Sequence, residues 1–172
     1  VPGMESFAII GAGGGRDILS ALYFGAKRIL ALDINNIQIR LLKDIPEFAA
    51  YSNLASRPEV EVVNSEARSW FTHNKETFDG IQMSMIDTWV SSAAGAFALT
   101  ENSLYTVEAW KTFMSRLNKN GIFTVSRWHK LDAACNDLCR LSTITVKALL
   151  EMGVEEPQKH IFIAYTDHIA SF

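Results

Sequence analysis

Apolar residues along the chain come in short blocks separated by glycine, proline and asparagine turns, and the spacing within each block predicts its element. Phe7-Ala8-Ile9-Ile10 is an uninterrupted apolar run that stops at Gly11-Ala12-Gly13-Gly14-Gly15. A helical pattern follows at once in Asp17, Ile18, Leu19, Ala21 and Leu22, so a strand, a tight turn and a helix from Asp17 to Phe24, stopped by Gly25, are expected. Arg28 to Leu32 reads as a second buried strand ended by Asp33, and Asn36 to Lys43 as a second helix. Between Ile45 and Pro58 the pattern is less regular, with Phe48, Tyr51 and Leu54 expected on one face of a short helix. Val60 to Val63 is a third strand, Ala67 to His73 a helix, and Phe78 to Ile86 a fourth strand.

A long connection rich in small residues, Ser91 to Asn102, has the composition of a lid or gate, with a short helix as the alternative. Leu104 to Leu117 is an amphipathic helix with Thr106 as N-cap and Val107, Trp110, Phe113, Met114 and Leu117 as its apolar stripe. Asn118-Lys119-Asn120-Gly121 is expected as a turn, and Ile122 to Ser126 as a fifth strand that delivers Arg127, Trp128 and His129 at its carboxyl end. Leu131 to Met152 is a long helix ended by Gly153, and His160 to Tyr165 and Ile169 to Phe172 are two last strands joined by Thr166-Asp167-His168. Strand–helix–strand units of this length impose right-handed crossovers and parallel pairing, whereas two strands this close form a hairpin. The expected fold is therefore α/β, three-layer and Rossmann-like, with a mostly parallel seven-stranded sheet and an antiparallel C-terminal hairpin. Its last strand stops while still apolar, so a truncated final strand and a single domain drawn from a longer parent protein are expected.

Composition narrows the partners. The chain has 172 residues, 48% hydrophobic and 20% charged, which describes one ordinary globular domain. A net charge of −3 argues against nonspecific nucleic-acid binding, which needs a dense positive footprint. No apolar run has the length of a membrane-spanning helix, so no membrane contact by this domain is expected. A cytoplasmic location is expected. Cys135 and Cys139 stand four apart in a helical stretch, unlike any zinc or redox motif, and are expected as small apolar residues on a packed face in a reducing compartment. His73, His129, His160 and His168 are scattered, and no metal site is expected.

The chemistry begins at the glycine turn. Glycines let a ligand approach the backbone closely, and the helix N-terminus that follows presents unpaired N–H groups. Packing of strand against helix is the competing use of the same residues. Asp33, at the carboxyl end of the parallel second strand, stands beside this turn, where an acid can accept ribose hydroxyls; capping the following helix is its other role. Glu66 lies just past the third strand, placed either for an adenine amine or for the first turn of the next helix. The fourth strand delivers Ser84, Asp87, Thr88 and Trp89 to the same sheet edge.

A nicotinamide-type Gly-x-Gly-x-x-Gly pattern starting at Gly11 fails at Arg16, whereas Gly11, Gly13 and Gly15 match Gly-x-Gly-x-Gly. With Asp33, Phe78-Asp79, the Asn118-to-Gly121 turn and the closing hairpin, the whole chain resembles the S-adenosylmethionine-dependent methyltransferase fold. More narrowly, Gly11-Ala12-Gly13-Gly14-Gly15-Arg16-Asp17, Phe78-Asp79-Gly80-Ile81 and Leu104-Tyr105-Thr106-Val107-Glu108-Ala109-Trp110 resemble the spermidine synthase-like (polyamine aminopropyltransferase) branch.

The resemblance implies S-adenosylmethionine or decarboxylated S-adenosylmethionine as cofactor. It implies a cofactor site of Gly11, Gly13, Gly15, Asp17 at the amino group, Asp33 with Ile34 at the ribose, and Glu66, Ala67 and Arg68 at the base. It implies transfer of a methyl or aminopropyl group to a small acceptor such as a polyamine, with Trp89, Glu101, Tyr105 and Trp128 as acceptor-pocket candidates and a homodimer as one assembly. The family's catalytic aspartate falls on Ser84, which cannot deprotonate an ammonium; Asp87 is the candidate in its place, provided the strand end bulges. The family's N-terminal β-domain has no counterpart in the chain, and the stretch Ser84-to-Trp89, with the small-residue loop to Phe97, looks more like spermidine synthase-like domains of larger bacterial proteins, some fused to membrane helices. The resemblance therefore implies the cytoplasmic part of a membrane-anchored protein as one parent. A catalytically degenerate regulatory or assembly module is the alternative reading.

Overall fold

A computed structural model describes residues 3–86, 103–128, 137–166 and 169–172. The elements are β1 Ser6–Ile10, α1 Arg16–Tyr23, β2 Arg28–Asp33, α2 Asn36–Lys43, α3 Pro46–Ser52, β3 Val60–Asn64, α4 Ala67–His73, β4 Phe78–Ser84, α5 Val107–Met114, β5 Leu117–Trp128, α6 Asp137–Glu151, a 3-10 turn Pro157–Lys159, β6 Ala164–Tyr165 and β7 Ile169–Ser171. They build one seven-stranded sheet in the order β3-β2-β1-β4-β5-β7-β6. Pairing is parallel from β3 through β5 and antiparallel where β7 joins β5 and β6, as expected.

Strands β1 and β2 are near-continuous apolar runs because both of their faces are covered. Ile9, Ile29 and Ala31 pack with Ile18 and Ala21 of α1, Ile39 and Leu42 of α2, and Leu54. Their alternates Ala8, Ile10, Leu30 and Leu32 pack on the opposite face with Phe71 of α4, Trp110 and Phe113 of α5, and Leu141 and Ile144 of α6. That second layer is held by edge-to-face aromatic pairs, Phe71 with Phe113 at 5.3 Å and Trp110 with Phe123 at 5.2 Å between ring centroids. The chain order reverses between β1 and β4, which opens a crevice at the carboxyl ends of those strands.

Several expectations are corrected. The amphipathic helix stops at Met114, and Leu117 is already strand, paired with Phe78. Asn118 to Gly121 lies within β5 as an irregularity, since pairing resumes only at Gly80 with Ile122 and Asn120 takes a φ of 65°. The strand expected from His160 is only Ala164–Tyr165. Phe48 and Tyr51 are exposed and only Leu54 is buried. The helix expected from Leu131 is described from Asp137 onward. Cys139 is exposed and disulfide-bonded, not a packed thiol. Thr106 does cap its helix, accepting from the Ala109 amide at 3.1 Å. The lid expected at Ser91 to Asn102 lies outside the described residues.

Asp79 explains the β5 irregularity. One carboxylate oxygen accepts from the amides of Glu5 and Ser6 and the Ser6 hydroxyl, each at 2.9 Å, and the other accepts from the Asn118 side-chain amide at 2.8 Å. The start of β1, the start of β4 and the irregular part of β5 thus share one anion. These donors, Asn118 foremost, stabilise the ionised form and hold the Asp79 carboxyl at about 2, below its ordinary 3.8. A carboxyl depressed on folding contributes stability above its unfolded pKa and loses it as pH falls through the folded value. Asp79→Asn is expected to cost about 2 kcal/mol at neutral pH, the worth of hydrogen bonds to a charged group. In chemical denaturation across pH, the wild type should lose part of its stability between about pH 4 and about pH 2. The variant should lack that share.

Candidate functional site

The carboxyl ends of β1 to β4 enclose a cleft of about 620 Å³, within the range of small-molecule sites. Its walls are the glycine turn from Gly11 to Gly14, Asp33 to Asn35 after β2, Ser65 to Ala67 after β3, and Ser84 to Ile86 after β4, with Leu104 at one side.

Asp33 joins two of these walls. Its Oδ2 accepts from the Gly13 amide at 2.9 Å and its Oδ1 from the Asn35 amide at 2.8 Å. Asn35, not Asp33, caps α2, accepting from the Ile37 amide at 2.9 Å. An ionised carboxylate has about four acceptor sites, so two remain for a ligand. The register explains the meeting, because Ile10 pairs with Leu32 and the two strand ends finish side by side.

The turn itself is locked by the Gly11 and Ala12 amides donating to Leu32 O at 2.8 and 3.1 Å. The Gly13 amide is engaged by Asp33, so it is not the bare donor that a glycine turn suggests. The amides of Gly14, Arg16 and Asp17 make no backbone hydrogen bond among the described residues, and α1 carries no side-chain cap. These N–H groups and the positive end of α1 open on the cleft. Gly11 permits close packing across the floor, since a Cβ there would lie 3.1 Å from Ile86 Cγ1.

Of the expected cofactor residues, Gly11, Gly13, Asp17, Asp33, Ile34, Glu66 and Ala67 line the cleft. Asp17 is nearly buried and pairs with Arg16 Nε at 3.3 Å. Glu66 realises its helix role, its two oxygens accepting from the Arg68 and Ser69 amides at 2.9 and 2.7 Å. Three expected residues face elsewhere. Gly15 is the left-handed N-cap of α1 and packs on Leu54. Arg68 lies one residue past the cleft wall and is not part of its lining. Tyr105 is buried on the other side of Leu104, with Arg127 Nη1 donating to its hydroxyl at 3.1 Å and the guanidinium 4.7 Å from its ring centroid.

Asp87, Trp89 and Glu101 lie outside the described residues, and for Trp128 only the backbone, in β5, is described. β4 ends at Ser84, and Met85 has a left-handed backbone with a φ of 54° while its amide still reaches Ser126 O at 3.0 Å. Ser84 lines the cleft and its hydroxyl meets Gln82 Nε2 at 2.9 Å. Sequence reasoning missed Asn35, Gln38 and Ser65 as lining residues; the signal was their place beside Asp33 and Glu66, Asn35 as the cap of α2, Gln38 in its first turn and Ser65 in the loop after β3. Among the described residues no three His, Cys, Asp or Glu side chains gather into a metal-ligand set.

No protein-family model matches the chain, and no curated protein matches it in sequence. Solved structures do match. A spermidine synthase in complex with the transition-state analogue AdoDATO superposes with a TM-score of 0.67 at 15% identity, over 99% of this chain and 54% of that one. Spermidine synthase from Thermotoga maritima gives 0.63 at 15% identity, over 99% and 53%. Ribosomal protein L11 methylase from Lactobacillus delbrueckii subsp. bulgaricus gives 0.58 at 19%, over 100% and 71%. The chain therefore spans about half the length of the spermidine synthases it matches. Its fold is that of the methyltransferases, in the form that spermidine synthases share.

The glycine turn makes a stability prediction. Gly15 has a φ of +87°, and a Cβ there would lie 2.2 Å from Leu54 Cδ1. Gly15→Ala should destabilise by about 1–2 kcal/mol through the left-handed backbone alone. Gly15→Asn should also destabilise: asparagine visits that region more readily, but its Cβ meets Leu54 as alanine's does. Thermal unfolding of the two variants against the wild type checks this.

Proposed function

We propose that this chain is an S-adenosyl cofactor-binding transferase domain that moves a methyl or aminopropyl group to a small acceptor. The observation that carries the reading is the Asp33 carboxylate, bonded to the Gly13 amide at the mouth of the cleft with acceptor sites to spare. The donor set suits a sulfonium compound, since Asp17, Asp33 and Glu66 oppose a single lining cation, Arg16. In this reading Asp33 holds the ribose hydroxyls, Ile34 and Ala67 flank the base, and Asp17 takes an ammonium beside the uncapped amides of α1. Bound there, the cofactor would supply an electrophilic carbon activated by its sulfonium sulfur. The chain's part is to hold that carbon in register and to accept the acceptor's proton.

Ser84, standing where the aminopropyltransferases carry their acid, favours methyl transfer over aminopropyl transfer. It equally supports a second reading, a binding module that has lost catalysis. Asp87 is the residue that decides between base-assisted amine transfer and the other two. A cytoplasmic location belongs to this proposal, although the exposed disulfide at Cys139 counts against a reducing compartment.

Calorimetry with S-adenosylmethionine, its decarboxylated form and NAD should show at least one sulfonium compound binding more tightly than NAD; the reverse order would overturn the reading. Asp33→Asn should weaken that binding roughly tenfold or more, as loss of a charge-assisted hydrogen bond does, while circular dichroism shows the fold retained. If putrescine is a substrate, Asp87→Asn should abolish its turnover, and undiminished turnover removes Asp87 as the base.

A further inference from the structure

The start of α1 sets two opposite charges side by side in the cleft. Arg16 and Asp17 are its first two residues, and both line the cleft with Gly13 and Gly14. Asp17 is the one charged residue, among those described, that is nine-tenths buried. Its Oδ1 receives only Arg16 Nε, at 3.3 Å, which is long for a charge-assisted bond. Its Oδ2 has no hydrogen bond among the described residues. A carboxylate drawn this far from water without a full set of donors has capacity for a cationic partner, and the cleft is where one can reach it.

Arg16 is placed differently. Its side chain is 69% exposed and stands at the rim, between the cleft and the outer surface of α1. Nε is turned to Asp17, and Nη1 and Nη2 make no hydrogen bond among the described residues. The planar fork, whose geometry matches a carboxylate, is therefore unengaged. Beside it the amides of Gly14, Arg16 and Asp17 make no backbone hydrogen bond among the described residues, at the positive end of the helix. The space over the turn is open, because a Cβ at Gly13 or Gly14 would meet no atom within 4 Å.

An acid with an unused oxygen, next to donors for one anion, is the complement of an α-amino acid, which offers an ammonium and a carboxylate on one carbon. The two sulfonium cofactors differ at that carbon. S-adenosylmethionine keeps the α-carboxylate; the decarboxylated form has lost it and presents positive charge alone, on sulfur and on nitrogen. For the decarboxylated form Asp17 is a partner, but Arg16 is a like charge with nothing to bind. We infer that Arg16 determines cofactor specificity: Arg16 and the open amides of α1 take the α-carboxylate, Asp17 takes the ammonium, and the cleft selects the carboxylated cofactor. This selectivity rests on the adenosyl-cofactor role proposed for the cleft and names the form it takes.

Calorimetry on the chain with S-adenosylmethionine, its decarboxylated form, S-adenosylhomocysteine and methylthioadenosine tests it. S-adenosylmethionine should bind roughly tenfold or more tighter than the decarboxylated form, the scale of a hydrogen bond between charged groups. S-adenosylhomocysteine, which keeps both amino-acid groups, should exceed methylthioadenosine, which has neither, by at least as much. Arg16→Gln should erase the first preference by weakening only the carboxylated compound. Circular dichroism should show that variant folded, since the side chain is largely exposed. Asp17→Asn should weaken both sulfonium compounds, because both carry the ammonium. Equal affinity for the two sulfonium compounds, a preference for the decarboxylated one, or a preference that survives Arg16→Gln overturns the inference and leaves the adenosyl reading standing. Binding of none of the four overturns both.

Discussion

The hydrogen bond from the Gly13 amide to the Asp33 carboxylate couples the turn after β1 to the end of β2, and the candidate site depends on it. Two parallel strands ending in register, Ile10 beside Leu32, bring the two groups together. Once they meet, the glycine turn has a fixed shape, the first amides of α1 are left without partners among the described residues, and a negative charge stands at the mouth of the crevice. A carboxylate accepting two backbone amides loses little of its hydration free energy and keeps capacity for a ligand. The same contact is thus both a structural brace and the most specific recognition feature in the cleft.

The sheet has two unlike ends. At the amino ends Asp79 gathers donors from Glu5, from Ser6 of β1 and from Asn118 of β5, tying these segments to the start of β4. At the carboxyl ends the order in which strands are added reverses between β1 and β4, so the loops splay apart and a crevice stays open. Rigidity at one end and a lined opening at the other follow from the same strand order. Two aspartates at opposite ends of their strands therefore do different work, one as a latch and one at a ligand-accessible mouth.

Residue by residue, the cleft-lining positions legible from the chain were those set by strand ends. Gly11, Gly13, Asp33 and Glu66 follow apolar runs whose limits are sharp, so their place at the sheet edge was legible. Gly15, Arg68 and Tyr105 each stand one residue beyond a residue that lines the cleft, and a single step along a turn or helix start rotates a side chain away. Nothing local in Tyr105 announces that Arg127, distant in sequence, lies over its ring. The Asn118-to-Gly121 segment had every mark of a free turn; only the anion at Asp79 draws it into the sheet.

The sequence by itself determined the α/β class, the strand count, the parallel sense and the C-terminal hairpin, because apolar periodicity and connection length leave few alternatives. It also determined that a glycine turn and an acid end neighbouring strands. Only the tertiary structure decided which polar groups are satisfied by one another and which remain open: Asp33 holds Gly13, Glu66 holds its own helix, and Asn35 displaces Asp33 as the cap of α2. Those outcomes are competitions between donors and acceptors brought together from distant segments, and no local pattern records who wins them.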